Sequence, residues 1–76
     1  MYFEYSKHFL DNKKYRSEIT EEIIEYCITN SQKIRDRHWE DLLNAIYKIP
    51  PSNRILKVVY KIKWQTIKIL TAYWLD

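Results

Sequence analysis

The stretch NRILKVVYKIKWQTIKILTAYWLD, residues 53–76, decides the fold. It holds two runs, 54–62 and 65–74, that are rich in Ile, Val, Thr, Tyr and Trp, the residues that suit a pleated, half-buried surface. With Lys63 and Trp64 as a two-residue turn, the runs form an antiparallel hairpin. Neither turn residue favours the positive φ of primed turns, so the length of the turn stays open at this point.

Successive residues of a strand point to opposite faces, which sorts the hairpin into two sides. One side is predicted to form an apolar wall and holds Leu56, Val58, Tyr60 and Ile62 beside Ile67, Ile69, Thr71 and Tyr73. The other side carries three lysines, Lys57, Lys61 and Lys68, among Val59, Leu70, Ala72 and Trp74. A loop one residue longer would change which faces match.

The N-terminal part predicts one short strand and two helices. Residues 2–5 alternate weakly as a strand does, and Ser6 is a candidate cap for a short helix that presents Phe9 and Leu10 to the core. Ser17 and Thr20 are both candidate caps for the next helix. That helix is amphipathic, because its apolar residues recur at helical spacing: Ile23, Ile24, Cys27 and Ile28.

The middle of the chain allows two interpretations. Residues 32–37 fit a short edge strand. Residues 38–49 are predicted as a helix capped by Asp36, because one helical stripe collects Trp39, Leu42, Leu43 and Ile46. The alternative is a strand over 45–49, and Pro50 and Pro51 end either element.

Together these elements predict one α+β domain over residues 1–76. Its expected architecture is an antiparallel sheet of three to four strands ending in the C-terminal β-hairpin, with two to three helices packed on one face. A chain of 76 residues is near the lower limit for a self-sufficient core, and one cysteine excludes an intrachain disulfide. A partner chain is therefore a reasonable expectation.

The charge distribution and the single cysteine indicate what the chain could bind and where it is expected to be located. The net charge is +3, and it is uneven, with four Lys/Arg against six Asp/Glu in residues 1–30 and nine against four in residues 31–76. This separation suits a chain that meets phosphate with one side. We expect a reducing, cytoplasmic location, no signal peptide and no membrane segment. Cys27 lies on the apolar helix stripe, so no metal site is predicted.

The chain lacks phosphate-binding glycine loops, zinc-type spacings and nucleophile elbows, and what remains is a set of cations with a candidate proton carrier. The set is His8, Arg16, Arg35, Arg37, His38 and Arg54. Cleavage of RNA needs little more. A group of near-neutral pKa moves the proton of the 2′-hydroxyl or of the leaving oxygen, and guanidinium groups stabilise the charge on the phosphate. Solvation of the surface is the competing explanation for each of these residues.

The order of short motifs resembles a known group. An early His in KHF is followed by R-x-E-I-T opening a helix, then by NRILKVVYK and IKILTAYW. This pattern is similar to that of small domains of uncharacterised function grouped with the RelE- and BrnT-type toxins. The resemblance implies the fold shared by barnase, the colicin D and E5 nuclease domains and RelE, with helices on one face of an antiparallel sheet and RNA across the other.

The resemblance also implies a function: a toxin-like, metal-independent endoribonuclease of a type II toxin–antitoxin system, without cofactor, acting on RNA free or on the ribosome and neutralised by a cognate antitoxin. Carried over by position, the catalytic residues are His8, Arg16, Arg54 and Thr71, with Tyr73 beside it. The RNA-binding residues predicted with them are Arg35, Arg37, Lys57, Lys61 and Lys68. The alternative hypothesis is a non-catalytic protein-interaction or homodimerisation domain of the same fold.

Overall fold

A computed structural model describes residues 2–11, 19–39 and 41–75, with only the backbone of His8 and Asp11. The described elements, in chain order, are β1 (Tyr2–Tyr5), α1 (Lys7–Asp11), α2 (Glu21–Asn30), β2 (Ile34–Arg35), β3 (Leu43–Ile49), β4 (Arg54–Lys63) and β5 (Thr66–Trp74).

The strands form one mixed sheet in the order β1-β5-β4-β3-β2. β1 runs parallel to β5, whereas the other three neighbouring pairs are antiparallel. The predicted antiparallel sheet of three to four strands with two to three helices is therefore wrong. The described residues form five strands, and α2 is their only helix longer than five residues. A local pattern reveals that a strand exists but not which distant strand it joins, and so the parallel pair was missed.

β4 and β5 form the expected hairpin, with the turn shifted by one residue. Lys63 pairs with Thr66, so the turn residues are Trp64 and Gln65. Trp64 has a φ of 60°, although it is not a glycine. The shift still leaves Ile67 and Ile69 beside Tyr60 and Ile62, because the cross-strand register moves by an even number of residues.

Residues 43–49 are a strand, so the predicted helix over 38–49 is wrong and the alternative, a strand over 45–49, is confirmed. All seven residues of β3 pair with β4, from Leu43 opposite Tyr60 to Ile49 opposite Arg54. Trp39, the first residue of the proposed helical stripe, is 63% exposed. The same letters also alternate with the period of a strand, and pairing with β4 satisfies backbone groups along a long central strand, which a helix here would leave open.

Both described helices begin at hydroxyl caps. Ser6 Oγ accepts the backbone N–H of Phe9 at 3.1 Å, and Thr20 Oγ1 accepts that of Ile23 at 3.3 Å. Each bond satisfies one of the amides that the first helical turn leaves without a partner. The Ser17 alternative lies outside the described residues. Neither α1 nor α2 is long and apolar enough to cross a membrane.

The helices pack on one face of the sheet and close a single core. Phe9 of α1 is buried there, whereas Leu10, which was expected beside it, is half exposed. The buried side chains come from both helices, the segment before α2 and three strands: Phe9, Ile19, Ile24, Cys27, Ala45, Ile49, Leu56, Val58, Tyr60, Ile67, Ile69 and Ala72. A hydrogen bond also links β1 to α2, because the Tyr5 hydroxyl donates to Glu25 Oε2 at 2.9 Å.

Cys27 joins α2 to the sheet. Its thiol is buried and lies 3.7 Å from the carbonyl oxygens of both Ala45 and Leu56. Burial raises the pKa of this thiol from 9.0 to about 11, because the apolar surroundings disfavour the thiolate. The site therefore favours the protonated thiol as donor.

We predict that this thiol makes the fold sensitive to alkali. Below pH 9 the thiol is protonated in both states, and its contribution to stability is complete. Between pH 9 and pH 11 only the unfolded state ionises, so the free energy of unfolding falls by about 2 kcal/mol. Urea titrations of wild type and Cys27→Ala at pH 8 and pH 10.5 measure the difference. Equal pH dependence in the two proteins would contradict the assignment.

The turn at Trp64 yields a second prediction. A non-glycine residue at positive φ costs about 1 to 2 kcal/mol, and the Trp64 side chain is 90% exposed and so recovers little of it by packing. Trp64→Gly should raise the free energy of unfolding by about 1 kcal/mol. Trp64→Ala is the matched control: it removes the same side chain without relieving the backbone, and is expected to have no effect in the same urea titration. Identical shifts in both variants would contradict backbone strain at this position.

Candidate functional site

The face of the sheet opposite the helices is the first candidate surface. Neither described helix packs on this face, which we call the open face. The pairing places on it residues from four strands, among them Glu4, Asn44, Ile46, Lys48, Ile55, Lys57, Val59, Lys61, Lys68, Leu70, Thr71 and Tyr73. All three lysines predicted from the alternation of the hairpin, Lys57, Lys61 and Lys68, belong to it.

A β-bulge decides the position of two predicted catalytic residues. The register between β4 and β5 shifts between Val59 and Tyr60, so Tyr60 lies opposite Ile69 while Val59 lies opposite Thr71. The extra residue reverses the alternation in the second half of β5. Thr71 and Tyr73 therefore lie on the open face, and Ala72 and Trp74 face the helices. The expected apolar wall that included Thr71 and Tyr73 is wrong at these two positions.

At one end of the open face, cations gather around the hairpin turn. Lys61 lies directly opposite Lys68, and Lys68 is flanked on its other side by Glu4. These three residues line a groove of about 290 Å³ together with Lys63, Trp64 and Thr66. Like charges directly opposite each other destabilise a sheet. One carboxylate among three lysines leaves this end of the sheet positive.

In the middle of the open face an aromatic ring meets a cation. The Lys57 ammonium lies 5.8 Å from the centroid of the Tyr73 ring, a distance at which the ring face attracts the charge. Tyr73 keeps 38% of its surface exposed. Lys57, on β4, also lies opposite Ile46 on β3. Its contacts therefore extend from β5 across β4 to β3.

At the opposite edge of the sheet, β2 and the loop after it form a second basic groove. This groove, which we call the β2 groove, has a volume of about 310 Å³. Four basic residues and four others line it: Arg35, Arg37, His38 and Lys57 with Ile34, Asp36, Asn44 and Ile46. Asp36 was expected to cap a helix, and it instead holds the loop in a turn, where its Oδ1 accepts the backbone N–H of His38 at 2.8 Å and of Trp39 at 3.2 Å.

Asp36 and Asn44 are coupled. The backbone N–H of His38 holds the pKa of the Asp36 carboxyl below its usual value, with smaller contributions from the Trp39 N–H and the Asn44 side chain, while partial desolvation opposes them. An amide lowers the pKa of a carboxyl through its nitrogen, so Asn44 turns its Nδ2 toward Asp36.

That orientation leaves an acceptor without a partner. Asn44 is 8% exposed, and its Oδ1 is buried with no hydrogen-bond partner in the described part of the chain. Burying a polar atom without a partner costs about 1 to 3 kcal/mol. Because Asn44 lines the β2 groove, a donor on a ligand that reaches Oδ1 would supply the missing partner.

The remaining predicted catalytic residues lie elsewhere. Arg54 has the parity of the helix-facing residues of β4, and its guanidinium stacks on Trp74, 4.4 Å from the ring centroid. His8 belongs to α1, which packs against β5 from the helix side, and its side chain lies outside the described part. Arg16 also lies outside the described residues. The structure thus gathers Thr71 and Tyr73 with the lysines of the open face, and places Arg54 and α1 on the opposite side.

Two residues important to these surfaces were missed from sequence. Asn44 was hidden by the interpretation of 38–49 as a helix, which gave it no defined face. Trp64 was treated as a turn residue only, although a tryptophan that directly follows two lysines (Lys61, Lys63) is itself a signal for an exposed aromatic binding group. Among the described residues, no group of three or more His, Cys, Asp and Glu side chains is placed to hold a metal ion.

Comparison with known proteins adds no assignment. No protein-family model, no curated protein and no solved structure matches this chain. The resemblance to the RelE- and BrnT-type toxins stays a prediction from short motifs, and function has to be argued from the surfaces themselves.

Proposed function

We propose that the chain is an RNA-binding domain whose open face takes single-stranded RNA. The observation that carries the proposal is the cross-strand pair Lys61 and Lys68, with Lys63 beside it at the turn. The pair weakens the sheet that contains it, and a phosphate between the two ammonium groups would remove the repulsion.

Exposed aromatic rings support single-stranded rather than duplex RNA. Trp64 at the turn and Tyr73 in the middle of the face are both solvent-exposed and both lie beside lysines. Unpaired bases stack on such rings, and each stacked base contributes about 1 to 3 kcal/mol. Bases in a duplex are already stacked on each other and are closed to these contacts.

The exposed tryptophan and the paired lysines both destabilise the protein when no RNA is bound. Trp64 combines a positive φ with an almost fully exposed indole, and Lys61 faces a like charge. Residues that break local rules without a packing benefit are typical of functional surfaces. The competing explanation, that lysines keep the face hydrated, accounts for the charges and leaves the exposed tryptophan unexplained.

Catalysis is the finer part of the proposal. In the toxin-like hypothesis, His8 moves the proton, Arg16 and Arg54 hold the phosphate, and Thr71 and Tyr73 complete the site. Arg54 and Thr71 lie on opposite faces of the sheet. An RNA that contacts both residues therefore has to bend around the edge of the sheet beside β5 or around the end of its strands. Neutralisation by a cognate antitoxin and a cytoplasmic location belong to the same hypothesis.

An edge of the sheet favours the alternative, a protein-interaction or homodimerisation domain. β2 pairs only with Leu43 and Asn44, so most of β3 has an outer edge that no described strand covers. Tyr26 and Tyr47 meet edge to face beside it, 5.8 Å apart, and both are exposed. They line a groove of about 540 Å³, and an added strand would pair there.

For RNA binding, we predict that Lys61→Ala combined with Lys68→Ala raises the Kd for a single-stranded RNA about tenfold. The slope of log K against log salt should fall by about 1.4, because two phosphate contacts are lost. Fluorescence anisotropy of a labelled oligonucleotide measures both. The matched control, Lys7→Ala with Lys33→Ala, removes the same charge from other parts of the surface.

Equal weakening by both double variants would reduce the effect to net charge and contradict a site on the open face. If wild type binds no RNA and light scattering at low micromolar concentration shows a dimer, the interaction domain replaces the proposal.

For catalysis, we predict that the purified chain cleaves total RNA in EDTA and leaves 2′,3′-cyclic phosphate ends. Activity should fall at least a hundredfold in folded His8→Ala, since a positioned acid or base contributes about 10² to 10⁴ in rate. A similar loss is expected in folded Arg54→Ala, since one group that stabilises the transition-state charge contributes about 10² to 10³. Reactions with and without ribosomes cover both routes, and gel analysis of the ends measures them. No cleavage in either reaction would contradict the enzymatic part and leave RNA binding to its own test.

A further inference from the structure

We propose that the β2 groove is a subsite for one nucleotide of the bound RNA, and that it prefers bases with a ring N–H, guanine and uracil. This inference rests on the proposed function. Its contacts would be phosphate on the arginines and Lys57, the base between apolar side chains, and a ring N–H donated to Asn44 Oδ1.

The size and lining of the groove fit a nucleotide. Its volume of about 310 Å³ is at the lower end for small-molecule pockets, which hold ligands of this size. Ile34 and Ile46 line it and are both partly exposed, which gives the flat side of a base an apolar contact. A groove for a free inorganic anion would need only the cations.

The charges fit a phosphate. Arg35, Arg37 and Lys57 converge on the groove with His38, against the single carboxylate of Asp36. That carboxylate is already engaged by the backbone N–H groups of His38 and Trp39 and by Asn44. Its charge is thus partly satisfied by the loop, and the arginines remain suited to phosphate oxygens, which their planar guanidinium groups bind in pairs.

Asn44 supplies the base preference. Its Oδ1 is a buried acceptor that has no hydrogen-bond partner in the described part of the chain. Guanine N1 and uracil N3 carry a hydrogen and donate to such an oxygen. Adenine N1 and cytosine N3 are acceptors at the corresponding position, and each would meet Oδ1 with a lone pair. Pockets that hydrogen-bond a substrate N–H discriminate strongly against analogues that lack it.

The β2 groove is continuous with the open face. Lys57 belongs to both, since it lines the groove and contacts the Tyr73 ring. A strand of RNA that follows Lys68, Lys61 and Tyr73 along the face therefore reaches the groove with its next nucleotides. The subsite would give a general cationic surface a preference for sequence.

The test uses the full chain and four mononucleotides, UMP, GMP, AMP and CMP, with 3-methyl-UMP as a probe in which a methyl group replaces the ring hydrogen. Calorimetry is the main readout, and tryptophan fluorescence, to which Trp39 beside the groove contributes, is the second. We expect UMP and GMP to bind at least fivefold more tightly than AMP, CMP and 3-methyl-UMP. Arg35→Ala should weaken UMP about tenfold, and Lys33→Ala, which removes a neighbouring charge outside the groove, should change nothing.

Asn44→Leu should abolish the difference between UMP and 3-methyl-UMP. If that variant does not fold, the comparison of the two probes on wild type still decides the point. Equal affinity for UMP and 3-methyl-UMP, or UMP binding unaffected by Arg35→Ala, would overturn the inference. An oligonucleotide titration run beside it keeps the hypotheses apart: RNA binding that needs Lys61 and Lys68 without any base preference overturns only the subsite, and mononucleotide binding without RNA binding overturns the open-face proposal.

Discussion

The structure depends on the pairing of β4 with strands on both sides. β4 runs from Arg54 to Lys63 in the middle of the sheet and bonds to β3 along one edge and to β5 along the other. Every second residue of it, from Leu56 to Tyr60, is buried under the helices. Backbone bonds fix the positions of the neighbours, and the buried row fixes which face the helices cover. Both candidate grooves lie where strands next to β4 end or turn.

Sequence patterns identified the elements whose causes are local. The hairpin, the amphipathic helix α2 and the Ser6 cap depend on neighbours within a few residues, and the sequence predicted all three, with Thr20 as one of two candidate caps for α2 and with the hairpin turn one residue early. The parallel pair of β1 and β5 and the strand over 43–49 depend on distant partners. Residues 43–49 fit both the helical and the alternating hydrophobic pattern. They form a strand because β4 offers an unpaired edge with which they can form hydrogen bonds.

The candidate site shows the same limit. The three lysines were placed together correctly because alternation along a strand is a local rule. The bulge beside Tyr60 is a single additional residue that leaves no mark in composition, and it moved Thr71 and Tyr73 to the other face. The unpartnered oxygen of Asn44 is a property of packing, so the sequence alone contains no sign of it.

The parallel pairing of the first strand with the last has a consequence for synthesis of the chain. β1 pairs with β5, and Ser6 Oγ donates to the carbonyl of Leu70, 64 residues along the chain. Closing so long a loop is slow, because its entropic cost comes before any contact is gained. During translation, β1 with its two tyrosines has no strand to pair with until the C-terminal hairpin has left the ribosome. The domain therefore folds after synthesis of its last strand, and its N-terminal strand is open to chaperones and to other chains until then.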